Sequence, residues 1–146
     1  METLLDKALL NLKTAQMILT TMDNGDDRIL NMVGYHLQQS AELFLKHYLE
    51  TESTGYPFTH DITILTDLFD RADMSVNLSD EFRLITGSFT EWEAKTRYVK
   101  DYIVSRRMIL KALDILQKMY LNNGYNVDVI DVSNYESKIK SMSSFE

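Results

Sequence analysis

Apolar side chains recur every three to four residues along most of the chain, which is the spacing of one face of a helix. The first run is Leu5, Leu9, Leu12, Ala15 and Leu19. It predicts a first helix from about Thr3 to Met22, and the next run predicts a long second helix from about Asp27 to Thr51. In the turn between them we expect Gly25 to be left-handed and the neighbouring aspartates to cap the second helix.

Three more helices follow from the same spacing. Thr59 is placed to cap the third helix, with Asp61 in its first turn, where the helix dipole favours an anion. Ser79 begins the fourth helix, and a segment that contains Trp92 follows it. The expected bounds of the third and last helices are Thr59 to about Ala72 and about Tyr102 to Asn122, with Gly124 ending the last.

This pattern predicts an all-α protein, an antiparallel up-and-down bundle of about five helices, because the connections between successive helices are short. We expect residues 1–124 to form the bundle and residues 125–146 to form a C-terminal tail that is partly ordered or docked. Residues 127–132 partly alternate, which suits a docked extended segment. Beyond Tyr135 a short helix and disorder are both open, and residues 141–144 favour fraying.

The composition narrows the class of protein. At 146 residues the chain has the length of one domain with a real core. Its N-terminus has no basic flank before an apolar run, so we expect no signal peptide, and no apolar stretch is long enough to span a membrane. The absence of cysteine excludes disulfides, thiol catalysis and cysteine-based zinc sites. We therefore expect a cytoplasmic protein without a membrane partner.

The histidines and glycines indicate neither a metal site nor a cofactor. His36, His47 and His60 are the three imidazoles, and none has the spacing of zinc ligands. No glycine-rich phosphate loop is present. His60 is either a hydrogen-bonded or packed residue at the start of a helix, or a ligand or base.

Three polar residues stand four apart on the second helix. Gln38, Glu42 and Lys46 therefore form one line along it, and Glu42 before Lys46 is the favourable order for an ion pair. Two interpretations stay open: a solvated face stabilised by such pairs, or a polar ridge that receives a partner.

The charge is unevenly distributed. The chain carries −7, which argues against indiscriminate binding to a phosphate backbone. Residues 95–111, however, hold six cations and one anion, so this segment carries +5 and the remainder −12. Within it Arg97 could hold a phosphate or carboxylate bidentately, or could form an internal ion pair with Glu93 or an acid on the second helix. Trp92 and Tyr98 could stack a base, or belong to the core or an interface.

Three segments carry a resemblance to a known family. Gln38, Ala41-Glu42 and Lys46 on the long helix, His60-Asp61 after a short loop, and Trp92-Glu93 with Thr96-Arg97-Tyr98 before the last helix stand in the order found in the HEPN domain (higher eukaryotes and prokaryotes nucleotide-binding). The resemblance covers about Met1 to Asn122. It implies an up-and-down helical bundle that commonly forms homodimers.

The resemblance also implies an activity that this sequence does not fully support. The family's metal-independent ribonucleases use an Arg followed after four to six residues by a His, in which Arg stabilises phosphorane charge and His transfers protons. No histidine follows His60 here. We therefore expect a non-catalytic module that binds a nucleotide, RNA or a protein, and the family implies a small nucleotidyltransferase partner in a toxin–antitoxin-like pair. The alternative is a ribonuclease that uses Arg97 or Arg106 without the usual His.

The candidate binding residues are drawn from the basic segment, the polar line and the motif histidine. They are Arg97, Tyr98, Lys95, Arg106, Arg107, Lys46, Glu42, Gln38 and His60.

Overall fold

The protein is an all-α bundle in the computed structural model, which describes residues 1–136. Six helices occur in that part of the chain: α1 (Leu4–Met22), α2 (Ile29–Glu52), α3 (Ile62–Arg71), α4 (Asp80–Tyr98), α5 (Arg106–Asn122) and α6 (Ser133–Glu136). The all-α prediction is confirmed, with one short helix more than the five expected. The expectations for residues 141–144 fall outside the described residues.

Helix α2 is the central element. It packs along α1 and also contacts α3, α4 and α5. Its buried face includes Val33, Leu37 and Phe44, because residues three and four apart return to one side of a helix. Gly34 permits a close approach to α5, since a Cβ at that position would lie 3.0 Å from Ile109 Cδ1. The long second helix thus organises the core, as its apolar period predicted.

The start of α3 differs from the prediction by two residues. Asp61, not Thr59, is the N-cap, and its carboxylate accepts hydrogen bonds from the backbone N–H groups of Thr63, at 2.9 Å, and Ile64, at 3.4 Å. The Thr59 hydroxyl instead accepts the Asp61 N–H at 3.0 Å. Either residue type can cap a helix, and the fold places the carboxylate over the exposed N–H groups.

The turn between α1 and α2 is only partly as expected. Gly25 has a φ of 91°, so the left-handed prediction is confirmed. The aspartates, however, do not cap α2, because its N-cap is Arg28 in a helical conformation with no side-chain cap. Asp26 accepts the Arg28 N–H at 3.0 Å and pairs with its guanidinium. Asp27 turns away toward Arg106.

The last long helix begins at Arg106, four residues later than Tyr102. Helix α4 continues through Trp92 to Tyr98, and a turn with Asp101 at a φ of 61° follows. The side-chain amide of Asn31 then donates to the Tyr102 carbonyl at 2.7 Å and accepts the Val104 N–H at 2.9 Å. These bonds replace the helical ones that the sequence pattern predicted for this segment.

Residues 125–131 form neither helix nor strand and lie against α1 and α5. The Gln117 side chain accepts the Ile130 N–H at 2.9 Å and donates to its carbonyl at 3.2 Å. Gln16 donates to the Asp128 carbonyl at 2.8 Å. Val127 and Val132 pack partly buried on the core. Two buried glutamines therefore satisfy the polar groups of a segment that no strand pairs with in residues 1–136.

Candidate functional site

A cleft of about 500 Å³ opens between α2 and α4. Its walls are Asn31, Gly34, Tyr35, Gln38, Gln39, His60, Trp92, Glu93, Thr96, Arg97 and Val104. The three segments that resemble the family are far apart in sequence, yet each supplies residues to this one cleft. Its volume is in the range usual for small-molecule sites.

Arg97 lines the cleft from the last turn of α4. Its Nη2 is 2.8 Å from Glu93 Oε1, and the other oxygen of Glu93 accepts the Gln38 Nε2–H at 3.1 Å. The internal ion pair with Glu93 is therefore present. The Arg97 side chain is nevertheless 59% exposed, and contacts with Tyr98 and then Glu93 raise its pKa further, so it stays a cation. It can give a ligand the donors that Glu93 does not occupy.

The polar line on α2 is not a solvated face. Gln38, Glu42 and Lys46 are all buried, because α4 and the loop before α3 cover them. Lys46 Nζ lies 3.1 Å from Glu42 Oε2 and above the ring of Tyr56. The interpretation as a surface stabilised by exposed ion pairs is wrong, because the spacing gives the side of the helix and not what packs on it.

His60 lines the cleft beside Glu42, which is one helical turn along α2 from Gln38, whereas Arg97 pairs with the Glu93 that Gln38 contacts. The His60 Nδ1 is 3.2 Å from one Glu42 carboxylate oxygen and 3.3 Å from the other, and its side chain is 56% exposed. The ring of Phe58 is 6.0 Å from the imidazole and almost fully exposed. His60 is thus a hydrogen-bonded residue that also lines the cleft, and its role as a ligand or base stays a prediction.

The basic segment does not form one surface. Lys95 pairs with Glu91 and lies over the Tyr102 ring, outside the cleft walls. Arg107 is exposed on α5. Arg106 is buried and binds Asp23 and Asp27, each at 2.8 Å, and Asp23 is the largest cause of its raised pKa. Arg106, which we expected among the ligand-binding residues, is therefore not among the cleft walls, and its guanidinium faces two carboxylates inside the fold.

Of the two aromatic candidates, only Trp92 lines the cleft. Trp92 is buried against Phe89, with ring centroids 5.4 Å apart, and its edge forms part of the cleft wall, so it belongs to the core. Tyr98 is exposed beside Arg97 but is not among the walls. Sequence reasoning missed Tyr35, which is exposed and lines the cleft, and Asn31. Their i, i+4 and i+7 spacing to Gln38 on α2 was the available signal.

A second cavity of about 270 Å³ adjoins the first and shares Asn31 and Thr96 with it. Arg28 and Asp101 also line it. A ligand longer than the main cleft therefore has a place to extend, beside another arginine.

The described residues contain neither a metal-ligand cluster nor a helix suited to a bilayer. Within residues 1–136 no group of three or more histidine, aspartate or glutamate side chains could hold a metal ion. In the same part of the chain, none of the helices combines the length and the apolar character that a membrane crossing needs.

Comparison with known proteins gives one match. The family model of the HEPN domain matches residues 1–145, which is nearly the whole chain and extends past the stretch to Asn122 that carried the resemblance. No curated protein and no solved structure was found to match.

Proposed function

This chain belongs to the HEPN domain family, and we propose that it is a non-catalytic binding module whose α2–α4 cleft takes a nucleotide. One observation carries the proposal: all three motif segments supply walls to the same cleft of about 500 Å³. A purely structural role for the motifs would not require an open space between them.

The residues present suit a nucleotide. Arg97 is exposed and can hold a phosphate through donors that Glu93 leaves unused. The remaining walls are largely carboxamides and aromatic rings, which hydrogen-bond and stack on a base. The −7 net charge argues that binding depends on this local geometry and not on a general positive field.

Two features support binding without catalysis. The chain has no His four to six residues after Arg97, Arg106 or Arg107. Arg106 is also enclosed by Asp23 and Asp27, so it is not placed to stabilise charge on a substrate.

A second candidate function is metal-independent RNA cleavage with Arg97. The observation that favours it is that Arg97 and His60, remote in sequence, line one cleft. Purified protein would then cleave RNA without added metal, and Arg97→Ala would abolish the cleavage while Arg107→Ala would not. If RNA stays full-length after incubation with the wild-type protein, this candidate function is refuted.

The proposal extends to partners. Family membership favours a homodimer that acts with a small nucleotidyltransferase in a toxin–antitoxin-like pair. Exposed Tyr98, Val99 and Ile103, next to the exposed Lys100, give a surface of the character that such contacts use. Light scattering of the pure protein tests the dimer, and a monomer at all concentrations excludes it.

The direct test of the binding proposal is a thermal-shift screen with ATP, other nucleotides and short RNAs. A ligand selective for the native state raises the midpoint. We expect at least one nucleotide to do so, with the shift lost in Arg97→Ala and kept in Arg107→Ala, a matched exposed arginine outside the cleft. An unshifted midpoint with every compound would refute nucleotide binding.

A further inference from the structure

We infer that His60 reads the base of the bound nucleotide through its Nε2 atom, and that the base lies at the His60 end of the cleft with the phosphate at the Arg97 end. This inference rests on the proposed function and adds the orientation of the ligand and the group that selects it.

The tautomer of His60 follows from Glu42. Both carboxylate oxygens of Glu42 lie within 3.3 Å of Nδ1, and one also accepts from Lys46 Nζ. A carboxylate bound to an ammonium group is an acceptor, so Nδ1 of the neutral imidazole carries the hydrogen. Nε2, on the opposite side of the ring, then has a lone pair that can accept a hydrogen bond.

The His60 end brings no net ionic charge to the ligand. The Glu42 carboxylate is buried and matched by Lys46. The exposed ring of Phe58 lies beside the imidazole. These surroundings suit a flat neutral heterocycle better than a phosphate. An aromatic ring can stack on the heterocycle, and the lysine near His60, Lys46, is already paired with Glu42.

The part of the cleft beside Arg97 differs in character. Arg97 keeps an exposed guanidinium, and the adjoining cavity that shares Thr96 with the cleft is lined by Arg28, which pairs with Asp26, and by Asp101. The cleft therefore offers an aromatic ring and a hydrogen-bond acceptor beside His60, and an exposed guanidinium at Arg97. A nucleotide whose base carries an N–H or amino donor matches this polarity.

The experiment compares two ligands across matched variants. Dissociation constants are measured by calorimetry for a nucleotide that shifts the midpoint and for ribose 5-phosphate, which has the phosphate and sugar without a base. The variants are His60→Asn, His60→Gln, Arg97→Ala and, as a control histidine outside the cleft walls, His47→Asn. Unchanged unfolding midpoints establish that each variant is folded.

His60→Asn keeps a polar group near the position of Nδ1 and removes the one at Nε2, whereas His60→Gln reaches toward Nε2. Losing one hydrogen bond to a neutral group should weaken nucleotide binding about three- to tenfold. We expect this loss in His60→Asn, partial recovery in His60→Gln, and no change for ribose 5-phosphate in either. Arg97→Ala should weaken both ligands, and His47→Asn neither.

The outcomes separate the two claims. If the wild type binds the nucleotide but His60→Asn binds it equally well, or weakens ribose 5-phosphate to the same extent, the orientation is wrong while nucleotide binding stands. If the wild type binds neither compound, the proposed function fails, and this inference fails with it.

Discussion

The guanidinium of Arg106 lies 2.8 Å from the Asp23 carboxylate, and both side chains are buried. The pair joins the first turn of α5 to the turn between α1 and α2, and Asp27 holds a second Arg106 nitrogen at 2.8 Å. The buried guanidinium is compatible with a stable fold only while the two carboxylates remain, because a buried ion without a partner is poorly solvated.

We therefore expect Asp23→Ala to lower the free energy of unfolding by about 3–5 kcal/mol. The loss follows because Arg106 would keep its charge with one of its two carboxylate partners removed. Urea denaturation followed by circular dichroism measures it. The control is Asp73→Ala, an exposed aspartate, which should change stability by less than about 0.5 kcal/mol. Equal effects of the two substitutions would contradict a role for the buried pair.

Asn31 holds residues 102–104, of which Val104 lines the cleft and the other two line the adjoining cavity. Asn31→Ala removes both of its side-chain bonds to that segment, so we expect a loss of about 1–3 kcal/mol and faster amide exchange at Val104. Hydrogen exchange followed by mass spectrometry or NMR measures the second effect. Asn122→Ala, at an exposed position on α5, is the control. Unchanged exchange at Val104 would show that the segment is held by other contacts.

Two glycines in helices should respond in opposite ways to alanine. A Cβ added at Gly87 would meet no neighbouring atom within 4 Å, so Gly87→Ala should stabilise the protein by up to about 1 kcal/mol through helix propensity. Gly34→Ala gains the same propensity but brings its methyl to 3.0 Å from Ile109 Cδ1, and overpacking costs about 1–3 kcal/mol.

A double-mutant cycle identifies the contact responsible. Ile109→Val removes the Cδ1 methyl, so Gly34→Ala should be less harmful in that background than in the wild type. Denaturant midpoints of the four proteins give the coupling. Additive effects would mean that the Gly34 position is not limited by Ile109.

Stability should depend on pH through His36. Burial lowers its pKa from 6.5, so the unfolded chain binds the proton more readily than the folded one. The stability that depends on a neutral His36 is fully present above pH 6.5, and it is lost as the pH falls through the lowered pKa of His36 in the folded state. His36→Gln should therefore flatten the stability profile on the acid side of neutrality. Denaturation at a series of pH values tests this, and a profile parallel to that of the wild type contradicts it. His47→Gln is the matched control.

The sequence by itself determined the helices and the family. Apolar residues at helical spacing located α1 and α2 to within two residues at each end, because burial of one face is a local pattern that a period reveals. Three motif segments were sufficient to identify the HEPN family, without knowledge of the contacts between them.

The tertiary structure decided which polar groups are buried and which meet. The spacing of Glu42 and Lys46 is typical of an exposed ion pair. In the structure the pair is buried, because the loop that carries His60 covers Glu42. Arg97 and Arg106 belong to the same basic segment, yet one reaches the cleft and the other is enclosed by Asp23. The start of α5 likewise depends on Asn31, more than seventy residues away. Spacing along one helix gives the direction of a side chain, whereas its solvation and its partners depend on elements distant in sequence.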